Sequence, residues 1–213
     1  MEAKDLLGFY EYKFPVHKVV NNESELTEAC KEIGYPVVLK IISPQIGHKV
    51  DIGGVILNIK NEEEACDKYK QLLRRLSTDH PNLKVEGVLV EQMASITHEF
   101  LIGGLRDPKL GPAVMFGKGG SLTELWNDNQ LMIPPISYLE AQSAIRSTRA
   151  YALVKGFRGM SQVDEDKLIK YIIQLGVILL DFEEIKEIDI NPIVWSSEEK
   201  LIALDANIVI NKM

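Results

Sequence analysis

Cysteine is nearly absent: Cys30 and Cys66 are the two in a chain of 213 residues. Both lie in polar, helix-like stretches with neither metal-ligand spacing nor an evident pairing. That excludes a disulfide scaffold and fits a reduced, cytoplasmic setting. The four histidines include no i,i+4 pair, so no zinc helix can be drawn. No serine–histidine–aspartate arrangement can be drawn either. Long apolar runs are missing as well. The greasiest segment, Tyr171–Phe182, has twelve residues, too few to cross a bilayer, and reads as a buried helix. The opening MEAKDLLGFYEYKF lacks the basic n-region and apolar core of a signal peptide. Positive charge is in deficit, 24 Lys and Arg against 31 Asp and Glu, for a formal net charge of −7. Nucleic acid and anionic membranes are therefore not expected partners. No internal repeat and no low-complexity stretch is present. The remainder, 46% hydrophobic and 26% charged, suffices for a sizeable core in one domain or two small lobes.

Elements alternate along the chain. Residues 2–10 read as a short helix, followed by an extended segment around Pro15. Ser24–Ile33 reads as a helix that Gly34-Tyr35-Pro36 stops. The β-branched run Val37–Ile42 is a strand, and a loop of about eleven residues leads to a second strand, Gly54–Lys60. Asn61–Thr78 is helical, with three glutamates at its start that complement the helix dipole. Its Arg74-Arg75 pair reads as a solvated helix face. Val85–Gln92, HEFLIGGLRD and PAVMFG are strands, with a turn at Pro108. Helices are expected over Leu139–Lys155 and Asp164–Asp181, and EIDINPIVW and LIALDANIVI close the chain as a hairpin. Interleaved strands and helices with hairpin ends make the fold class α+β, and a break near Glu91–Met93 divides two comparable lobes.

Four places could carry chemistry. If the terminal hairpin turns over Ser196–Lys200, Trp195 faces Leu201, Asn191 faces Asp205 and Asp189 faces Asn207. Asp189 and Asn191 then share one face, with Ile188 and Ile190 on the other. The resulting oxygen-rich patch suits Mg²⁺, a hard cation that takes one or two carboxylates plus phosphate oxygens; it equally fits an ordinary solvated hairpin. The loop IGHKVDIGG is glycine-rich, with Gly53 and Gly54 at its end. Its successive amides could form an anion nest. Lys40 and Lys49 add charge, and His48 could exchange protons or accept a phosphoryl group; a plain flexible loop is the alternative. FGKGGS, Phe116–Ser121, satisfies neither GxxxxGK[ST] nor GxGxxG and by itself reads as a tight turn. VLVEQM, Val88–Met93, with Glu99 eight residues beyond Glu91, could bind adenine by backbone and ribose by carboxylate, or simply carry surface charge.

In order and at these spacings, GYPVVLKIISP, IGHKVDIGGV, DPKLGPAVMFGKGG with Glu124 beyond it, the Gly156–Gly159 segment GFRG, and the pair EIDINP and LDANI resemble the β subunit of ADP-forming acetate–CoA ligases. The resemblance runs almost end to end. The last pair is also similar to the β subunit of succinyl-CoA synthetase, which places an Asn and an Asp on Mg²⁺. One departure is visible: Val50 stands where the family loop has serine, removing one hydroxyl from the phosphate contacts.

The resemblance implies an ATP-grasp fold, two α+β lobes with nucleotide in the cleft, the small lobe over 18–91 and the large lobe over 1–17 and 92–213. It implies the reaction acyl-CoA + ADP + phosphate ⇌ acid + ATP + CoA, catalysed with a CoA-binding α subunit in an α2β2 hetero-oligomer. Lys40 would contact phosphates and the Gly53-Gly54 loop would cover them. Glu91, Gln92 and Met93 would hold adenine, and Glu99 the ribose. Asn191 and Asp205 would ligate Mg²⁺, with Asp189 orienting Asn191. His48 would carry phosphate between the partner and ADP. Succinyl-CoA synthetase chemistry, an ATP-grasp amide ligase or carboxylase, and a non-catalytic nucleotide sensor are the alternatives. The first has a longer C-terminal domain than this chain, and the second has no need of His48.

Overall fold

The structure, a computed structural model, describes residues 2–46, 49–120, 128–198 and 200–211. The chain divides into two compact units, residues 15–94 and residues 1–14 with 95–213. Helix α1 (Glu2–Phe9) opens the larger one.

The smaller unit holds β1 (His17–Val20), α2 (Glu23–Ile33), β2 (Val37–Ile42), β3 (Val55–Ile59), α3 (Glu62–Asp79) and β4 (Gly87–Gln92). Both helices begin at asparagine caps. Asn22 accepts from the Glu25 amide and Asn61 from the Glu64 amide, each at 2.9 Å, satisfying donors that a helix start leaves open. Helix α2 stops at Gly34, which adopts φ +82°, a left-handed backbone that costs glycine little. The strands form one antiparallel sheet in the order β1-β4-β2-β3. Val37, Leu39 and Ile41 of β2 and Val88 and Val90 of β4 pack with Leu26, Cys30, Leu72 and Leu76 of the two helices. Period-two alternation sends Val38, Lys40, Leu89 and Glu91 to the opposite face.

The larger unit holds β5 (Ile96–Asp107), β6 (Gly111–Lys118), β7 (Asn129–Met132), α4 (Tyr138–Ser147), α5 (Tyr151–Val154), a 3₁₀ turn at Phe157–Gly159, α6 (Glu165–Asp181), β8 (Ile185–Ser196), β9 (Leu201–Ala203) and β10 (Asn207–Ile210). Its antiparallel sheet runs β10-β8-β5-β6-β7, with β9 also pairing β8. Phe100, Ile102, Val114, Phe116, Ile188, Ile190 and Ile193 share a core with Leu168, Ile172, Leu175, Ile178 and Leu179 of α6. Burial of each such side chain is worth about 1.5–3 kcal/mol. This is where the greasy Tyr171–Phe182 segment goes. Among the described residues no helix is long and apolar enough to cross a membrane.

The strand expected over LIALDANIVI is broken into β9 and β10, and two further features differ from the sequence expectation. The four-residue strands β1 and β7 were not anticipated. The helix expected over Leu139–Lys155 is two helices, because Thr148 turns extended (ψ 155°) and its hydroxyl donates to the Ile145 carbonyl at 2.8 Å. Asp128 then accepts from the Ala150 amide at 3.1 Å, fixing the restart.

The C-terminal end of α6 is held by Arg106 of β5. Its guanidinium donates to the carbonyls of Leu179, of Phe182 (3.2 Å) and of Ile185 (3.2 Å). A fork of fixed donors matches three such acceptors, and a lysine cannot. Replacing Arg106 with Met, or with Lys, is expected to lower stability by about 2–3 kcal/mol. Urea unfolding followed by Trp195, buried in this same unit, should show a lower midpoint at unchanged slope. A midpoint at the wild-type value would show that these bonds contribute nothing net.

Candidate functional site

In the smaller unit the expected phosphate and adenine residues meet on the sheet face opposite the helices. Glu91 pairs with Val38, and Lys40 with Leu89, so Lys40 and Glu91 are diagonal neighbours on adjacent strands. Their side chains form an ion pair, with Lys40 12% and Glu91 2% exposed. The Gln92 amide donates to the Val16 carbonyl at 2.9 Å and the Met93 amide to the Pro36 carbonyl at 3.0 Å. Both donors are thus engaged within the unit, and adenine bound to them would have to exchange with those carbonyls.

The glycine loop is likewise closed on itself. The Gly53 amide donates to the Val50 carbonyl (2.9 Å) and the Gly54 amide to the Lys49 carbonyl (2.7 Å). In this conformation the two amides make a turn rather than an open anion nest. A Cβ on Gly54 would come 2.9 Å from the Lys49 oxygen, which explains the glycine. Arg75, read from sequence as solvated helix face, is exposed, yet its guanidinium donates to the Gly53 carbonyl and ties α3 to this turn. His48 lies outside the described residues, as do Gly47 and Glu124.

In the larger unit, the terminal strands take the register that a five-residue turn predicts. Trp195 faces Leu201 and Asp189 faces Asn207, and the Ser196 amide closes the turn on the Lys200 carbonyl at 2.9 Å. Between these points β9 ends at Ala203 and β10 begins at Asn207, so Asp205 lies on a connecting stretch rather than in a strand. Its Oδ1 accepts from the Ala206 amide at 3.0 Å.

Opposite this stretch, β8 carries a bulge. Phe100 pairs with Ile193 but Ile102 pairs with Ile190, so Asn191 and Pro192 together oppose Leu101. A bulge re-aims side chains locally, and proline, with no N–H, loses nothing at an unpaired position. Asn191 Oδ1 accepts from the Gly120 amide at 3.0 Å. Glu99, on the face away from α6, lies beside the same turn: its carbonyl accepts from the Gly119 amide at 3.1 Å. The turn after β6, a weak signal in the sequence, is therefore what joins Glu99 to Asn191.

An Mg²⁺ ion fits these groups chemically. Asn191 Oδ1 accepts one hydrogen bond from the protein and has a second lone pair, and a carboxylate such as Asp205 has several. Among the described residues no group of three His, Cys, Asp or Glu side chains could hold a metal on its own. A cation at an all-oxygen pair of one Asn and one Asp takes its remaining ligands from phosphate and water.

A family model described as an ATP-grasp domain matches residues 1–210. The chain belongs to the ATP-grasp family. The β subunit of acetate–CoA ligase [ADP-forming] I of Pyrococcus furiosus is 42% identical over 209 residues, which span 98% of this ATP-grasp chain and 90% of that protein. The 4-hydroxybutyrate–CoA ligase [ADP-forming] of Nitrosopumilus maritimus is 37% identical over 93% of the chain, and the chain spans 28% of that longer protein. Among solved structures, the dinucleotide-forming acetyl-coenzyme A synthetase 1 of Ca. Korarchaeum cryptofilum, in complex with coenzyme A, Ca-AMPCP and HgCl⁺, superposes with a TM-score of 0.93 at 39% identity. That match covers 99% of this chain and 91% of the other. The same synthetase with coenzyme A and Mg-AMPPCP, its phosphohistidine segment pointing towards the nucleotide binding site, gives 0.84 at 37% identity, covering 99% and 91%.

Removing one partner of a buried ion pair strands the other's charge. Lys40→Met is therefore expected to destabilise the protein by about 3–5 kcal/mol, while Lys40→Met with Glu91→Leu returns most of that loss. Urea midpoints of the four proteins in the cycle measure the coupling. Additive losses would mean the two side chains act independently.

Proposed function

We propose that this chain is the ATP-grasp β component of an ADP-forming acyl-CoA synthetase. It binds Mg-ADP or Mg-ATP and moves a phosphoryl group between a phosphohistidine and ADP, in the overall reaction acyl-CoA + ADP + phosphate ⇌ acid + ATP + CoA. What carries the reading is the end-to-end correspondence with a β subunit, over 98% of the chain and 90% of that protein. The CoA-binding work belongs to an α partner, and an α2β2 assembly is the arrangement we propose.

Lys40 meets the phosphates with its ammonium, a compact charge suited to them. Glu91 and the Gln92–Met93 backbone hold adenine, and Glu99 accepts hydrogen bonds from the ribose hydroxyls. Asn191 and Asp205 hold Mg²⁺, with Asp189 two residues from Asn191 on the same strand helping to orient it. When bound, Mg²⁺ neutralises negative charge on the phosphates. Gly53 and Gly54 lie over the phosphates once their turn opens.

His48 is the proposed carrier. A P–N bond to the partner's histidine breaks as a P–N bond to His48 forms. That bond then breaks as an oxygen of the ADP β-phosphate takes the phosphoryl group. Nothing is oxidised or reduced, and both steps are in-line transfers that depend on positioning and charge. Asp189 is the residue we assign to orienting the imidazole in the second step.

With the reconstituted complex, His48→Ala should leave Mg-ADP affinity within a few fold. It should lower acyl-CoA-driven ATP synthesis by about two or more orders of magnitude. Label from phosphate should then build up on the partner and vanish, as acid-labile counts, from this chain. Near-normal turnover in the variant would contradict the relay and mean direct transfer from partner to ADP.

A further inference from the structure

Lys118 is a cation placed where the sheet gives it little water. On β6 it pairs with Phe100, whose ring is fully buried, so the side chain leaves the backbone on the core side of the sheet. Its ammonium nonetheless turns to the strand ends. Nζ donates to the Glu99 carbonyl at 3.1 Å and to the Gly119 carbonyl at 3.0 Å, and stands 3.9 Å from Glu99 Oε2. The side chain is 23% exposed, against 35% for Glu99. Burial pulls the Lys118 pKa down, and the Glu99 charge opposes that. An ammonium held by two carbonyls and a carboxylate is a fixed charge, unlike a surface lysine that samples many rotamers.

What it fixes is visible in the turn. The Gly119 amide returns to the Glu99 carbonyl at 3.1 Å, so Lys118 and Gly119 bind the same oxygen. A Cβ at Gly119 would overlap the Phe100 carbonyl, and one at Gly120 would overlap Glu99 Oε2. The turn has no room for a side chain because Gly119 lies against the Phe100 backbone and Gly120 against the Glu99 carboxylate. The next amide, Gly120, donates to Asn191. Lys118 thus sits at the junction of the two groups assigned above to ribose and metal.

We infer that Lys118 is a positioning residue for nucleotide binding: it fixes the Glu99 carboxylate in the orientation that accepts the ribose hydroxyls. The inference rests on the nucleotide reading above and adds to it a residue that the sequence pattern passed over. A carboxylate whose one oxygen is drawn to an ammonium keeps its other oxygen, and the remaining lone pairs of both, aimed at a diol. An unanchored glutamate would lose part of that advantage to rotamer entropy.

The experiment is calorimetric titration of the full chain with Mg-ADP and with Mg-2′,3′-dideoxy-ADP, which lacks both ribose hydroxyls. Lys118→Met should weaken ADP about tenfold and the dideoxy nucleotide less than about twofold. In a Glu99→Gln background, Lys118→Met should change ADP affinity by less than about twofold, since the group it positions is gone. Lys118→Arg should restore part of the preference for ADP. If Lys118→Met does not fold, as judged by its urea transition, Lys118→Gln removes the charge while keeping an N–H donor, and the same ratio decides. A wild-type chain that binds no Mg-ADP overturns the nucleotide function and this inference with it. A wild-type chain that binds, with equal losses for both nucleotides or none in the variant, overturns this inference alone.

Discussion

Strand β8 has to satisfy two demands. Ile188, Ile190 and Ile193 must enter a hydrophobic core, while Asp189 and Asn191 must stay out of it. Strict alternation cannot place Ile190 and Ile193 on one face, because they are three apart. The bulge at Asn191–Pro192, opposite Leu101, restores the phase. Ile190 and Ile193 are both fully buried as a result, and Asn191 is left at the kink, where its side-chain Oδ1 accepts from the Gly120 amide. The rest of the larger unit's candidate site follows from that kink: the Gly119–Gly120 turn, Glu99 against it, and the end of β9 that puts Asp205 on a connecting stretch.

Charge is handled the same way in both units. Each has a lysine on one strand held to a glutamate on the neighbouring strand, Lys40 with Glu91 and Lys118 with Glu99. Such partly desolvated pairs add little to stability, since desolvation offsets their attraction. They do keep opposite charges fixed in place in a medium where electrostatic forces are stronger than in water. In a chain with a net charge of −7, a polyanion can be met only where positive charge is held locally, and Lys40 is the position proposed above for that role.

Much of this was legible in the sequence for definite reasons. A five-residue turn sets the terminal register, so counting from Trp195 gave the Asp189–Asn207 pairing correctly. The VVLKII run is dense in β-branched residues, and Gly34 ends α2 as expected. Other features depend on contacts distant in sequence. Asp128 caps Ala150 across twenty-two residues, which no local propensity reveals, and so one expected helix became two. Strands β1 and β7 have four residues each, too few for alternation to register. The bulge was hidden because EIDINPIVW counts equally well without it until β5 is placed beside it. Arg75 looked like an ordinary surface cation and Lys118 like part of a tight turn, and their carbonyl partners appear once the chain is folded. Register and alternation offered Asn191 and Asp205 as an oxygen-rich pair, and motif resemblance added the expected roles of Lys40 and Glu99, which no periodicity could have supplied.

In the proposed function Asn191, at the β8 bulge and bonded by the Gly120 amide, and Asp205 hold the metal of a metal–nucleotide complex. Paramagnetic Mn²⁺ in place of Mg²⁺ tests this most directly, read in the NMR spectrum of the isotope-labelled chain. With ADP present, the side-chain amide of Asn191 and the backbone amide of Gly120 should broaden beyond detection. Amides near Arg106, further along β5 from the bulge, should broaden less. Sharp Asn191 and Gly120 signals in a chain saturated with Mn-ADP would contradict the account.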